Sequence, residues 1–191
     1  MAQARTLIQA SLGAQSLGAK VLIVLGGSIL IALGAQVSVP MLPVPMTLQT
    51  LAIVLIGLTA GSRLGAAAVL AYLGQGAMGL PVFAGGAFGL APLMGPTAGF
   101  LWGFVALAFA AGWLVESGLA RGFWRTLVGV VAISAALYVP GVLWLTAVTP
   151  LDLGRAAQLG MMPFLFGDAV KAVIAALAVT GGWAALKARR G

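Results

Sequence analysis

Long uncharged apolar stretches alternate along the chain with short segments rich in glycine, proline or cations. A hydrocarbon core of about 30 Å needs about 20 helical residues at 1.5 Å each. Six apolar runs approach that length, at residues 21–39, 46–61, 64–80, 97–115, 126–148 and 159–186. None shows the period-two alternation of a membrane barrel, and helices satisfy their own backbone groups in lipid. The pattern therefore predicts an all-α, polytopic membrane protein. It is expected to be one domain over residues 1–191, a bundle of six transmembrane helices.

The interruptions refine this picture. After the first run, Pro40, Pro43 and Pro45 deny helix and favour an extended path. The second run is short, so either the membrane thins there or the proline-rich loop dips in beside it. Residues 81–89 are too glycine-rich to hold a helix. Pro140 falls inside the fifth run, where a kink is expected. Gly95, Gly99 and Gly103 recur at four-residue spacing, which lets helix backbones approach closely.

Composition supports lipid as the solvent. Of 191 residues 62% are apolar and 7% charged, too few charges to clothe a soluble domain of this size. Ten Lys and Arg stand against three Asp and Glu. The cations are thinly spread between apolar runs, which is a topology signal and not a nucleic-acid patch. With six spans, Arg5, Lys20, Arg63, Arg121, Arg125, Lys187, Arg189 and Arg190 share one side, and Arg155 alone faces the other. The positive-inside rule then puts both termini in the cytoplasm of a bacterial-type cell, with the chain in its cytoplasmic membrane. The first span is too long for a signal-peptide core. Leu7, Ile8 and Leu12 are read as the apolar face of a weak amphipathic segment on the inner membrane surface.

Candidate chemistry is sparse. No cysteine or histidine is present, so thiolate sites and the commonest metal ligand and general base are absent. There is no phosphate-binding lysine loop, nucleophile elbow or carboxylate array for a metal, so no enzyme activity, metal or cofactor is expected. Asp152 and Glu116 are read as solvated loop charges. Asp168 and Lys171 differ, because they lie inside the sixth run at i and i+3 on one helical face. A charge at mid-membrane costs on the order of 3 kcal/mol, so it normally faces a cavity or a partner. The bland alternative is a self-paired ion pair that pins helix packing. Opened to a cavity, the pair offers one anionic acceptor and one cationic donor to a mostly apolar ligand carrying N–H groups and a carbonyl or carboxylate. Gln49, Tyr72, Gln75, Phe83, Phe88, Trp102, Tyr138 and Trp144 are the polar and aromatic candidates around it, although Trp and Tyr also settle at membrane interfaces.

Four motifs together carry a family resemblance: Val39-Pro40-Met41-Leu42-Pro43-Val44-Pro45-Met46-Thr47-Leu48-Gln49-Thr50, Gly79-Leu80-Pro81-Val82-Phe83-Ala84-Gly85-Gly86, Gly95-Pro96-Thr97-Ala98-Gly99-Phe100, and Pro163-Phe164 leading into Gly167-Asp168-x-x-Lys171. Over residues 38–177 the chain resembles the BioY proteins, the substrate-binding S components of energy-coupling factor (ECF) transporters for biotin. The resemblance implies a six-helix S component that binds biotin near its outer face, closed by the loop after the first helix. It implies a membrane T subunit and ATP-binding subunits as partners, and contact of biotin with Asp168 and Lys171. The expected substrate-binding set is Asp168, Lys171, Gln49, Gln75, Tyr72, Phe83, Gly86 and Trp102. Two departures stand out. Residues 64–112 carry no charge where some relatives have a further polar or basic contact, and the small-residue pattern on the first helix is reduced to Ser28-x-x-x-Ala32. The competing readings are an S component for another vitamin and a membrane scaffold without a ligand. The oligomeric state stays open, a homo-oligomer included.

Overall fold

The computed structural model describes residues 6–12 and 16–189, with the side chain of Leu12 left aside. Arg5, Arg190 and the Leu12 side chain, all used in the sequence reading, lie outside the described residues. Helix α1 spans Leu7–Leu12 and α2 spans Leu17–Gln36, capped by the Ser16 hydroxyl, which accepts from the Ala19 N–H. A two-residue antiparallel ladder follows, β1 (Ser38–Val39) against β2 (Met46–Thr47), pairing Ser38 with Thr47 and Val39 with Met46. Next come α3 (Gln49–Ala60), α4 (Ser62–Ala77), a short 3₁₀ turn at Ala84–Gly86 and α5 (Ala91–Met94). The chain continues with α6 (Ala98–Glu116), α7 (Phe123–Val148), α8 (Leu153–Gly160), a 3₁₀ turn at Met162–Phe164 and α9 (Leu165–Ala188).

Among the described residues, four segments are long and apolar enough to cross a membrane: α2, α6, α7 and the run Leu153–Ala188. Helix α3 is apolar but only 12 residues long, about 18 Å at 1.5 Å per residue. Its shortness follows from the proline-rich segment before it, which forms the β1–β2 ladder, and from Gly61 after it. Gly61 turns the chain at φ 96°, a conformation that favours glycine, and α4 begins at the next residue. Helix α7 runs on through Pro140.

Helix α6 is the centre of the packing: 61% of its apolar window is buried, against 17% for α2. Glycines allow this. A Cβ on Gly99 would lie 2.3 Å from Trp144 Cβ and one on Gly103 would lie 2.7 Å from Leu137 Cδ1, so both seat α6 on α7. Gly95, the third of the expected stripe, meets only its own turn at Ala91. Outward, Leu17, Leu22, Ile29 and Leu33 of α2 are exposed, as a lipid-facing surface requires.

Two expectations are corrected. The sixth apolar run is not one helix from residue 159. Gly160 ends α8, Pro163 lies within the following 3₁₀ turn, and α9 starts only at Leu165. Asp168 therefore belongs to the first turn of α9, where the helix dipole favours a negative charge. Nor is Glu116 a solvated loop charge, whereas Asp152 is exposed as expected. Glu116 Oε1 accepts from the Ser62 backbone N–H (2.8 Å) and Oε2 from the Ser62 hydroxyl (2.7 Å), capping α4 from the far end of α6. Asp152 accepts from the Arg155 N–H (2.8 Å) and caps α8.

Candidate functional site

The first turns of α3 and α9 meet beside the middle of α7. There the few polar side chains converge. Lys171 Nζ donates to Asp168 Oδ1 and to Thr50 Oγ1, each at 3.0 Å. The Thr50 hydroxyl lies 3.4 Å from the same carboxylate oxygen and donates to it. Tyr138 of α7 donates to Asp168 Oδ2 at 2.5 Å. Three helices thus share one carboxylate, and the two charged side chains are 11% and 12% exposed.

The exposed remainder of the pair opens into a cavity of about 310 Å³. Its apolar wall includes Val44 and Pro45 from the proline-rich loop, Phe83, Ala84 and Ala87 from the glycine-rich loop, and Phe100, Phe104 and Leu137 from α6 and α7. Thr47, Gln49, Thr97 and Tyr138 add uncharged polar groups to Thr50, Asp168 and Lys171. An apolar hollow with a few convergent polar groups is the usual form of a small-molecule site.

Of the residues expected at the site, Asp168, Lys171, Gln49 and Phe83 line the cavity. Tyr72, Gln75, Gly86 and Trp102 do not, each for a physical reason. Tyr72 is fully buried behind the wall, accepting from Gln49 Nε2 (2.6 Å) and standing edge-on to the Phe83 ring at 5.4 Å. It braces two lining residues. Gln75 donates to Ser28 Oγ (3.0 Å) and ties α4 to α2. Gly86 serves the turn, with φ 74° beside Gly85 at 67°, so that Ala84 and Ala87 face the cavity. Trp102 is half exposed and donates to the Leu93 carbonyl (3.2 Å). Trp144 similarly holds the Gly95 carbonyl (3.0 Å), and Phe88 is 60% exposed.

Thr50 and Tyr138 complete the ion pair. Tyr138 was among the aromatic candidates, but neither residue was in the expected binding set. Gln36, which no motif singles out, also supports the site: its Nε2 donates to the carbonyls of Phe83 (3.0 Å) and Val82 (3.3 Å), fastening the end of α2 to the glycine-rich loop. Nothing in a single sequence separates that amide from a solvated one.

Comparison with known proteins agrees with this architecture. A crystal structure described as the S-component for biotin from an ECF-type ABC transporter has the same fold, with a TM-score of 0.77 at 23% identity over 93% of this chain and 96% of that one. The biotin transporter BioY of Rhizobium etli is 40% identical over 181 residues, covering 88% of this chain and 96% of that protein. The biotin transporter BioY of Thermotoga maritima is 40% identical over 148 residues, 78% of this chain and 86% of its own. The model of the BioY family matches residues 6–188. With that match over nearly the whole chain, and relatives of this identity along most of their length, the chain belongs to the BioY family.

Proposed function

We propose that this chain captures biotin in the cavity beside Asp168 and Lys171 and is the substrate-binding S component of an ECF-type biotin transporter. The observation that carries the reading is the buried ion pair opening onto an apolar hollow of about 310 Å³. A pair that only pinned helices would be enclosed by packing. Biotin suits this site because its thioether ring and valerate chain are apolar, while its ureido group presents N–H and C=O side by side.

Counting donors orients the ligand. A carboxylate has about four acceptor positions, and Lys171, Thr50 and Tyr138 take three at Asp168. An ammonium has three N–H bonds, of which Asp168 and Thr50 take two at Lys171. One acceptor position, on Oδ2, and one donor of Lys171 therefore remain on neighbouring side chains, and a ureido N–H and carbonyl can meet both at once. A carboxylate would be repelled by Asp168 while attracted by Lys171, so the valerate end extends away from the pair. Thr97, a lining hydroxyl, then supplies polar contact where the uncharged stretch 64–112 offers no cation.

The six longest helices form one transmembrane bundle in the cytoplasmic membrane of a bacterium, with α3 and α4 crossing despite their length. Both termini are cytoplasmic. Lys20, Arg63, Arg121, Arg125 and Lys187 lie near the inner ends of α2, α4, α7 and α9, and Arg155 on α8 lies near the outer face. A membrane T subunit and ATP-binding subunits supply the energy.

Titration of the purified protein with a panel of vitamins tests the ligand. Biotin and desthiobiotin, which share the ureido group, bind, while thiamin and riboflavin do not. Binding of another vitamin in place of biotin, or of none, would overturn the reading in favour of a different S component or a scaffold.

A further inference from the structure

A second hollow borders the same ion pair between α3, α7 and α9, with a volume of about 10 Å³. It shares Thr50, Asp168 and Lys171 with the large cavity, and its further apolar walls are Leu51 and Val54 of α3, Val130 of α7 and Ala172 of α9. Its polar edge has one more member, Ser134. Ser134 is 8% exposed, and its hydroxyl has no hydrogen-bond partner among the described residues. A buried hydroxyl without a partner is destabilising, so native proteins supply one.

We propose that this hollow is a binding site for a single water molecule that links Ser134 to Thr50 and holds the ion pair. The size matches, because one water needs roughly 10–15 Å³ by this measure and two to four polar partners. The hydrogen-bond count matches too. The Thr50 hydroxyl donates to Asp168 and accepts from Lys171 with one of its two lone pairs. The second lone pair accepts from the water, and the water accepts from the Ser134 hydroxyl. Thr50 is then fixed by three bonds, and it in turn fixes both charges. The last donor of Lys171 and the last acceptor of Asp168 stay directed at the large cavity. Ser134 is thus a positioning residue that never touches the ligand.

The existence of the water does not depend on the proposed ligand, whereas its effect on affinity rests on the biotin reading. A crystal structure of the unaltered protein, at a resolution that shows ordered solvent, is expected to place one density peak within hydrogen-bond distance of Ser134 Oγ and Thr50 Oγ1. Biotin titration then compares Ser134→Val with Ser134→Thr, two side chains of equal size of which only threonine keeps the hydroxyl. Ser134→Val is expected to lose about tenfold in affinity relative to Ser134→Thr. A dry hollow in the unaltered protein overturns the site, and equal affinities of the two variants overturn its positioning role. Should the unaltered protein bind no biotin, the functional reading fails and the density alone decides the water. Should Ser134→Val fail to fold, the density again decides.

Discussion

Two of the three carboxylates in this chain are half-buried or deeper, and their surroundings differ in one respect. Glu116 closes against Ser62, with one oxygen on a backbone N–H and the other on a hydroxyl. Packing beside it is tight, since a Cβ on Gly61 would lie 2.5 Å from Oε1 and one on Gly112 would lie 2.0 Å from the Ser62 nitrogen. Asp168 accepts from three side chains, Lys171, Thr50 and Tyr138, yet its pair borders a cavity of about 310 Å³. A carboxylate bonded through each oxygen to the nearby chain, amid tight packing, holds helices together. One that keeps an unanswered position beside open volume is placed for a guest. Burial and charge alone do not tell them apart, and the packing around them does.

The largest expected effect falls on the Asp168 side. Lys171→Ala leaves a buried carboxylate without its cation and should weaken biotin binding by about 2 to 5 kcal/mol, read by isothermal titration. Next comes packing on the Glu116 side. Gly112→Ala drives a methyl into the backbone at Ser62 and should lower stability by about 1 to 3 kcal/mol, seen as earlier thermal unfolding in detergent. Any biotin affinity that survives folding should be unchanged. Smaller still is Tyr138→Phe, which removes one hydrogen bond to a charged acceptor. It should cost about 1.5 kcal/mol in biotin affinity, with the thermal midpoint moved little. If Tyr138→Phe instead lowers stability and spares binding, Asp168 belongs with Glu116 as a packing device.

Much of this was legible in the chain. Charges are so rare in its apolar runs that Asp168 and Lys171 identify themselves by position, and the prolines at 40, 43 and 45 announce the extended loop that walls the cavity. The break before α9 was hidden because hydropathy runs on through Gly160 and Pro163 while the backbone does not. Thr50 and Tyr138 were harder to place, lying 118 and 30 residues from Asp168 in sequence, so that only tertiary packing joins them. Trp102 and Gln75 were drawn into the site by residue type. In a bundle with few polar groups, an indole or amide serves equally well to fasten one helix or loop to the next.

The decisive measurement is biotin titration of Asp168→Ala and Glu116→Ala prepared side by side, with the thermal midpoint of each recorded. The account predicts that Asp168→Ala loses most of its affinity while remaining folded, and that Glu116→Ala loses stability while binding biotin as the unaltered chain does. Undiminished affinity in folded Asp168→Ala would contradict it.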